Sequence, residues 1–214
     1  FAIETAGSSL LGPFEGNIDL VVPEDGEVRI GVRRLDVAET RLTGDLRLVE
    51  GGLAGRLDLS RGGVNGAIAL AARPSGQAFN VDLSARNARF GGEVPLLLAR
   101  ADVDVQGFIG GEATTVEGEM SAQGLSWGNL FLGRMAADAQ LRGGVGTFNA
   151  ALAGRRGSRF ELLLNGEAEA ERIAVAARGS FAGEAITMPR RAVLLSTDDG
   201  GWELQRSQLG YGGG

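Results

Sequence analysis

Residues 41–73 read RLTGDLRLVEG, GLAGRLDLSRG and GVNGAIALAAR, which are three consecutive blocks of eleven residues. Each block carries the same pattern, apolar–x–Gly–x–apolar–x–apolar. A fixed period of this kind indicates a repeated supersecondary unit. Alternation with a period of two is typical of a strand that has one buried and one wet face. The three blocks therefore predict three amphipathic strands.

The length of the blocks predicts that these strands are antiparallel. Seven strand residues span about 20–23 Å, because each rises about 3.3 Å, and the remaining four reach only about 14–17 Å. The chain therefore cannot return to the start for a parallel pair. Pairing residues whose numbers sum to 101 sets Asp45 opposite Arg56, whereas a sum of 103 opposes Asp45 to Asp58 and Arg47 to Arg56. Like charges cost about 0.2–1 kcal/mol per pair, so we predict the first register, with a four-residue loop.

Composition predicts a single curved all-β unit. Gly contributes 36 of 214 residues and Pro only 5, and the Gly content is well over twice the usual ~7%. Apolar residues make up 43% of the chain with strand periodicity, which argues against collagen and against disorder. Glycine repeated inside strands indicates a sheet that bends throughout. No change of composition divides residues 1–214, so we expect one elongated segment of a longer protein.

A coarse reading along the chain gives about fourteen or more short strands, with little or no helix. The opening stretch, with Gly7–Ser9 and Gly12, reads as a loop, and strands follow at Gly16–Val22 and Glu27–Val32. Glu167–Ala177 is rich in Ala and Glu and could be helical by propensity. Its alternation from Ile173 onward favours a strand. The prediction is a long antiparallel meander.

The residues needed for common catalytic sites are absent. The chain has no Cys, no His and no Lys, which excludes the usual nucleophile–base pairs, Cys-ligated zinc and a Walker-type phosphate loop. The carboxylates Asp102, Asp104, Glu117 and Glu119 alternate with apolar residues or Gly, so they belong to the wet face of strands. We predict no catalytic residue, metal or cofactor, and no enzyme. The net charge of −6 also argues against nucleic-acid binding.

Two Gly-rich stretches could suggest cation sites. Gly143–Gly146 is similar to a calcium-binding nonapeptide, but Phe148 stands where that motif needs Asp, so a hairpin turn is the better interpretation. Asp198–Gly201 has the composition of a turn.

A sheet with one apolar face must cover that face. It can close on itself as a sandwich with a dry core, face lipid as a membrane barrel, or curl into an open trough that holds an apolar ligand. Aromatic residues are only 6% of the chain, too few for the girdles of a membrane barrel. The residues leave the sandwich and the trough both open. The candidate lining residues of a trough are Leu46, Leu48, Leu57, Leu59, Ile68, Leu70, Val81, Leu83, Val103, Val105, Leu162, Leu164, Ile173 and Val175.

Several phrases of the chain resemble the AsmA-like superfamily, and within it the TamB (translocation and assembly module) family. These are the apolar–x–Gly repeats, the Gly-Gly turns, LSWGNLFLGRMAADAQL and ITMPRRAVLLSTDDGGWEL. The resemblance covers most of the chain and implies a "β-taco", a half-pipe sheet with an elongated hydrophobic groove. It also implies a periplasmic location in a Gram-negative bacterium, with the full-length protein anchored in the inner membrane.

The same resemblance implies a function and partners. The apolar groove would shield phospholipid acyl chains as they move between inner and outer membranes. Other parts of the full-length protein would meet an outer-membrane barrel partner in outer-membrane protein assembly. The alternative is a structural or adhesive β-sandwich module of the cell envelope.

Overall fold

The computed structural model confirms an all-β fold. It describes residues 1–24, 26–50, 52–110, 114–169, 171–197 and 200–212. These residues form 17 strands in a single sheet and contain no helix. From β1 to β13, every strand pairs antiparallel with the strands that precede and follow it along the chain. The described residues show no second sheet against the first, so the two-layered sandwich architecture is not the one found.

The strands lengthen toward the middle of the chain. Their bounds are β1 Ala2–Ser9, β2 Gly12–Val21, β3 Val28–Val37, β4 Thr40–Val49, β5 Gly52–Ser60, β6 Val64–Arg73, β7 Gly76–Phe90, β8 Leu96–Ile109, β9 Thr115–Trp127, β10 Leu130–Arg142, β11 Val145–Arg156, β12 Ser158–Glu169, β13 Arg172–Phe181, β14 Glu184–Thr187, β15 Ala192–Ser196, β16 Trp202–Leu204 and β17 Gly210–Tyr211.

The register predicted for the first two repeats is confirmed. Strands β4 and β5 pair with residue numbers that sum to 101, so Asp45 lies opposite Arg56 and Leu46 opposite Gly55. The predicted four-residue loop is wrong in length. Pairing continues to Val49 and Gly52, which leaves two residues between the strands. Charge complementarity on the wet face fixes the register, and it carries no information on where the ladder stops.

The glycine of each repeat sits in a backbone conformation that other residues rarely adopt. Gly44, Gly55 and Gly66 have φ of 151°, 145° and 141°. A Cβ on any of them would also clash with a backbone carbonyl of the neighbouring strand. The in-strand glycine is therefore needed both for its φ and for close approach of the adjacent backbone.

Three local predictions have clear outcomes. The loop predicted around Gly7–Ser9 is wrong, because β1 forms there and pairs along its whole length with β2. The strand prediction for Glu167–Ala177 is confirmed by β12 and β13. Gly143–Gly146 contains a two-residue hairpin turn, with φ of 63° at Gly143 and 74° at Gly144, the signature of a type I′ turn. The predicted turn Asp198–Gly201 lies partly outside the described residues.

The sheet divides after β13. The end of β13 pairs with β14, and its beginning pairs with β15. Strand β17 then pairs with β14, and β16 with β15.

Four hairpin turns at one end of the sheet contact one another in a ring. The β1–β2 turn meets the β3–β4 turn, where the Ala38 amide donates to the Pro13 carbonyl at 2.8 Å. The β3–β4 and β5–β6 turns also touch, since a Cβ on Gly62 would lie 2.8 Å from the Glu39 carbonyl carbon. The β5–β6 turn is joined to β7 by the Arg86 amide, which donates to the Gly63 carbonyl at 2.7 Å.

The ring closes between the β7–β8 loop and the β1–β2 turn. A Cβ on Gly12 would lie 3.2 Å from the Gly91 carbonyl, and a Cβ on Gly92 would clash with the Leu10 carbonyl oxygen. Strands β2 and β7 are five positions apart in the sheet, about 24 Å if it were flat. Their ends can touch only because the intervening strands bend around.

Candidate functional site: one apolar sheet face

The strand registers place all fourteen predicted lining residues on one face of the sheet. One row across the strands contains Leu57, Ile68, Val81 and Val105, each directly opposite the next. The same row continues through small or aromatic residues to Val175 on β13. The other members lie in parallel rows on the same side. One row contains Leu46, Leu70 and Ile173, and a second contains Leu59, Leu83, Val103 and Leu164. Leu162 and Leu48 belong to two further rows. We call this surface the apolar face.

The apolar face is half covered along most of its length. Of the fourteen predicted residues, Leu46 is buried at 8% exposure, Leu48 is exposed at 50%, and the others are intermediate. No large side chain among the described residues falls below 2% exposure. A dry core between two layers would bury such side chains completely. The described sheet therefore leaves its apolar face in partial contact with solvent.

A small cluster near the ring of turns is the best-packed part of this face. Val64, Ala85 and Ala88 are buried there, and Ala88 is only 1% exposed. Leu59 and Phe90 are among the partly buried residues around them. The apolar face is thus most enclosed where the strand ends bend together.

Sequence reasoning missed a line of irregularities that extends the apolar face. Asn87, Ala99, Gly124 and Gly133 lie at the same level of β7, β8, β9 and β10, and none of them joins the ladders between these four strands. Asn87 and Gly124 have φ of 52° and 62°. We call this line the bulge row. It matches the behaviour of β-bulges, which re-aim the side chains that follow them.

The bulge row keeps apolar side chains on the same face beyond it. Strand β11 runs straight past it, pairing Leu152 with Met135 and Gly154 with Leu132. Leu132 and Met135 are three residues apart and yet share a face. In the sequence, the bulge row is visible as a spacing of three rather than two between consecutive residues of the apolar face. The same spacing of three separates Leu98 from Ala101 and Ala122 from Leu125. Leu98, Leu125 and Leu132 therefore belong to the apolar face, although the prediction omitted them.

Phenylalanine rings cover glycines on this face. Phe14, Phe79 and Phe148 lie directly opposite Gly7, Gly107 and Gly166. A Cβ on Gly7 would lie 2.7 Å from the Phe14 ring, and one on Gly107 2.8 Å from the Phe79 ring. Each ring thus occupies the space of its partner's missing side chain. This also explains why Gly7, predicted to be in a loop, sits inside a strand.

The opposite face carries the charged residues, as the alternation predicts, but it also carries a concavity that was not predicted. The concavity has a volume of about 560 Å³ and spans β7 to β13. Asp82, Asp104, Glu119 and Asp138 cross it in one row, each directly opposite the next on adjacent strands. We call these four residues the acidic row. This concavity is therefore lined mainly by polar-face side chains and is distinct from the apolar face.

The same polar face holds an ion-pair network near the start of the chain. A bulge in β3 sets Arg33 and Arg34 side by side on one face. Arg33 Nε donates to Asp19 at 2.7 Å, and Arg34 Nε donates to Asp36 at 2.6 Å. Arg41 donates to the same Asp36 at 2.7 Å and 2.9 Å. The hydrogen bonds from Arg41 and Arg34 hold the pKa of Asp36 well below its usual range, although desolvation opposes them.

The described residues contain no cluster of three or more potential metal ligands. Asp102 and Asp104 lie on the polar face, and Asp102 is paired with Arg100 at 3.0 Å. Within the described ranges, no helix is long and apolar enough to cross a bilayer. Asp198 and Asp199 lie outside the described residues.

No protein-family model, curated protein or solved structure matches this chain. The apolar face is therefore the main basis for a functional assignment.

Proposed function

We propose that this segment shields lipid acyl chains on its apolar face and so acts as part of a conduit. The observation that carries the proposal is the extent of that face. The row from Leu57 to Val175 continues without a charged residue, and its apolar side chains remain partly exposed. A soluble protein seldom leaves so long an apolar surface without a partner.

The mechanism is passive partition. Each buried methylene contributes about 0.8 kcal/mol, so one acyl chain gains several kcal/mol when it lies along the rows. The rows repeat similar small and branched residues and contain no deep, specific pocket. Such a lining allows a chain to slide from one strand to the next, while its head group stays in water at the rim of the sheet.

The wider setting of the proposal rests on the resemblance to the TamB family. It comprises phospholipid movement between inner and outer membranes, a periplasmic segment, and an inner-membrane anchor on the full-length protein. It also includes an outer-membrane barrel as partner in outer-membrane protein assembly. The ligand class, an acyl chain, is supported independently by the apolar face.

A charge on the apolar face tests the proposal. Ile68→Glu places a carboxylate in the middle of the row between Leu57 and Val81. Ala71→Glu is the matched control, because Ala71 is exposed on the same strand and faces the other side. Native mass spectrometry of the purified chains measures co-purifying lipid, and circular dichroism reports the fold.

We expect lipid on the unmodified chain and on Ala71→Glu, and its loss from a folded Ile68→Glu chain. A chain that carries no lipid under any condition would contradict the proposal. Unfolding of Ile68→Glu would instead indicate a closed core. The milder Ile68→Ser then separates the two readings, since in a groove it weakens lipid retention without unfolding the sheet.

A further inference from the structure

We propose that the end of the sheet formed by the β1–β2, β7–β8, β9–β10 and β11–β12 turns docks on an anionic lipid surface. This goes beyond acyl-chain shielding, because it concerns contact with a bilayer rather than with single lipid molecules. We call this end the basic rim. Its exposed apolar residues are Leu10, Leu11, Val94, Leu97, Trp127 and Phe131, and its arginines are Arg89, Arg155, Arg156 and Arg159.

The apolar residues of the basic rim are large and exposed. Leu10 is 94% exposed, Trp127 52% and Leu97 44%. Contacts between turns hold them together. Gly92 meets the Leu10 carbonyl, and a Cβ on Gly128 would lie 3.4 Å from the Val94 side chain. Large apolar side chains at the tips of adjacent hairpins form a surface that fits the boundary between head groups and acyl chains.

The arginines of the basic rim have no acidic partner. Arg155 lies directly opposite Arg159 on the next strand, an arrangement of like charges that is unfavourable in water. Neither they nor Arg89 and Arg156 form an ion pair with any described residue. Glu93 is an acidic residue of the same β7–β8 loop. Unpaired arginines held side by side are suited to phosphate groups, which they bind bidentately.

Charge and aromatic groups meet at one point on this rim. The Arg155 guanidinium lies 5.5 Å from the centroid of the Phe131 ring, a cation–π distance. Phe131 pairs with Ser126, which in turn pairs with Leu97. Tryptophan and arginine are both favoured at membrane interfaces, where one end of the side chain is apolar and the other wet. An anionic bilayer satisfies both kinds of group.

The opposite end of the sheet is richer in acidic residues. Its turns and strand ends carry Glu24, Glu27, Glu50, Glu169 and Glu171 beside Arg73, Arg142 and Arg172, and the whole chain has a net charge of −6. An anionic membrane therefore attracts the basic rim more strongly than it attracts the opposite end. The strands between the rims are up to 15 residues long, or about 50 Å. The charge distribution thus selects one orientation, with the strands directed away from the membrane.

Vesicle binding tests the proposal with a reporter already present. Trp202→Phe removes the only other tryptophan, so the fluorescence reports Trp127. We expect a blue shift on vesicles of phosphatidylcholine with phosphatidylglycerol, quenching by brominated acyl chains, and weaker binding at high salt. Replacing Arg155, Arg156 and Arg159 with Gln is expected to lower the partition coefficient about fivefold for each charge removed.

Controls lie on the opposite rim of the same sheet. Arg142→Gln and Val145→Ser change one basic and one exposed apolar residue there, and we expect unaltered binding. Equal binding to pure phosphatidylcholine, or an unshifted Trp127 spectrum, would overturn the proposal. Self-association of the free chain that is lost in the triple Arg variant would also overturn it, because the partner of the basic rim would then be the Glu-bearing opposite end of a second copy. The folded Ile68→Glu chain, without its acyl-chain ligand, should still dock.

Discussion

Gln77 lies two strands away from Leu53, and yet its carboxamide bonds to both backbone groups of that residue. Leu53 N–H donates to Gln77 Oε1 at 2.8 Å, and Gln77 Nε2 donates to the Leu53 carbonyl at 2.9 Å. The intervening β6 residue is Ala72, which pairs with Gln77 and leaves room for the longer side chain to cross. A side chain thus replaces a ladder pair at the start of β5.

Replacing this carboxamide should weaken the sheet. Gln77→Leu keeps the size of the side chain but leaves Leu53 N–H and C=O without these partners. We expect a loss of about 1–3 kcal/mol in the free energy of unfolding, measured by urea denaturation. Gln106→Leu is the control, since Gln106 is exposed on the polar face and its loss should matter little. Equal stability of the two variants would show that water replaces the Gln77 bonds.

The acidic row should destabilise the sheet at low salt. Asp104 lies directly opposite both Asp82 and Glu119. Asp104→Asn should raise the free energy of unfolding by about 0.2–1 kcal/mol for each like-charged neighbour, and the gain should shrink as NaCl screens the charges. Asp58→Asn is the control with no expected gain, because it removes an ion pair with Arg56 at 2.8 Å.

Acid should remove a stabilising contribution of Asp36. Its pKa is depressed in the fold by hydrogen bonds from Arg41 and Arg34, so the folded state favours the carboxylate relative to the unfolded chain. This contribution is present above the unfolded pKa of about 3.9 and is lost as the pH falls below it toward the folded value.

The test compares unfolding free energies at neutral pH and near pH 3. Asp36→Asn should lower stability at neutral pH and flatten its dependence on acid. Asp45→Asn should retain the wild-type dependence, because Asp45 is 75% exposed and its contact with Arg33 is 3.7 Å long. An unchanged acid profile in Asp36→Asn would contradict the assignment.

Two adjacent glycines should respond in opposite ways to the same substitution. A Cβ on Gly92 clashes with the Leu10 carbonyl, whereas one on Gly91 meets no atom within 4 Å. Gly92→Ala should therefore separate the β7–β8 loop from the β1–β2 turn and lower the free energy of unfolding by about 1–3 kcal/mol. It should also speed hydrogen exchange in the β1–β2 turn. Gly91→Ala should leave both unchanged. Similar exchange in the two variants would mean that the ring is not closed in solution.

Periodicity and charge made most of the sheet predictable. The repeats of residues 41–73 fixed which side chains share a face, and Asp45 opposite Arg56 selected the register. The periodicity argument also extends to β6, β7 and β8, where Ile68, Val81 and Val105 alternate with polar or small residues. Local pattern is sufficient there because each strand pairs only with its neighbours in sequence.

Other features depend on information that local pattern does not carry. The bulge row is visible only as a change of phase repeated in four strands, and a single case, such as Leu98 followed by Ala101, resembles a loop. The ring of turns joins residues as distant as Leu10 and Gly92, which no periodicity relates. The acidic row was not predictable from charge complementarity, because the observed register sets Asp82 directly opposite Asp104. In these strands the alignment of the apolar side chains sets the register, and like charges repel one another on the polar face.

The simple connectivity of the sheet has a consequence for how the molecule forms. Through β13, each strand needs only its predecessor to begin pairing, so no ladder in this part of the sheet joins strands that are distant in sequence. Folding can also proceed from the amino end while the rest of the chain is still being synthesised. The growing edge remains open at every stage, so whole hairpins could be gained or lost in evolution without disturbing those already paired.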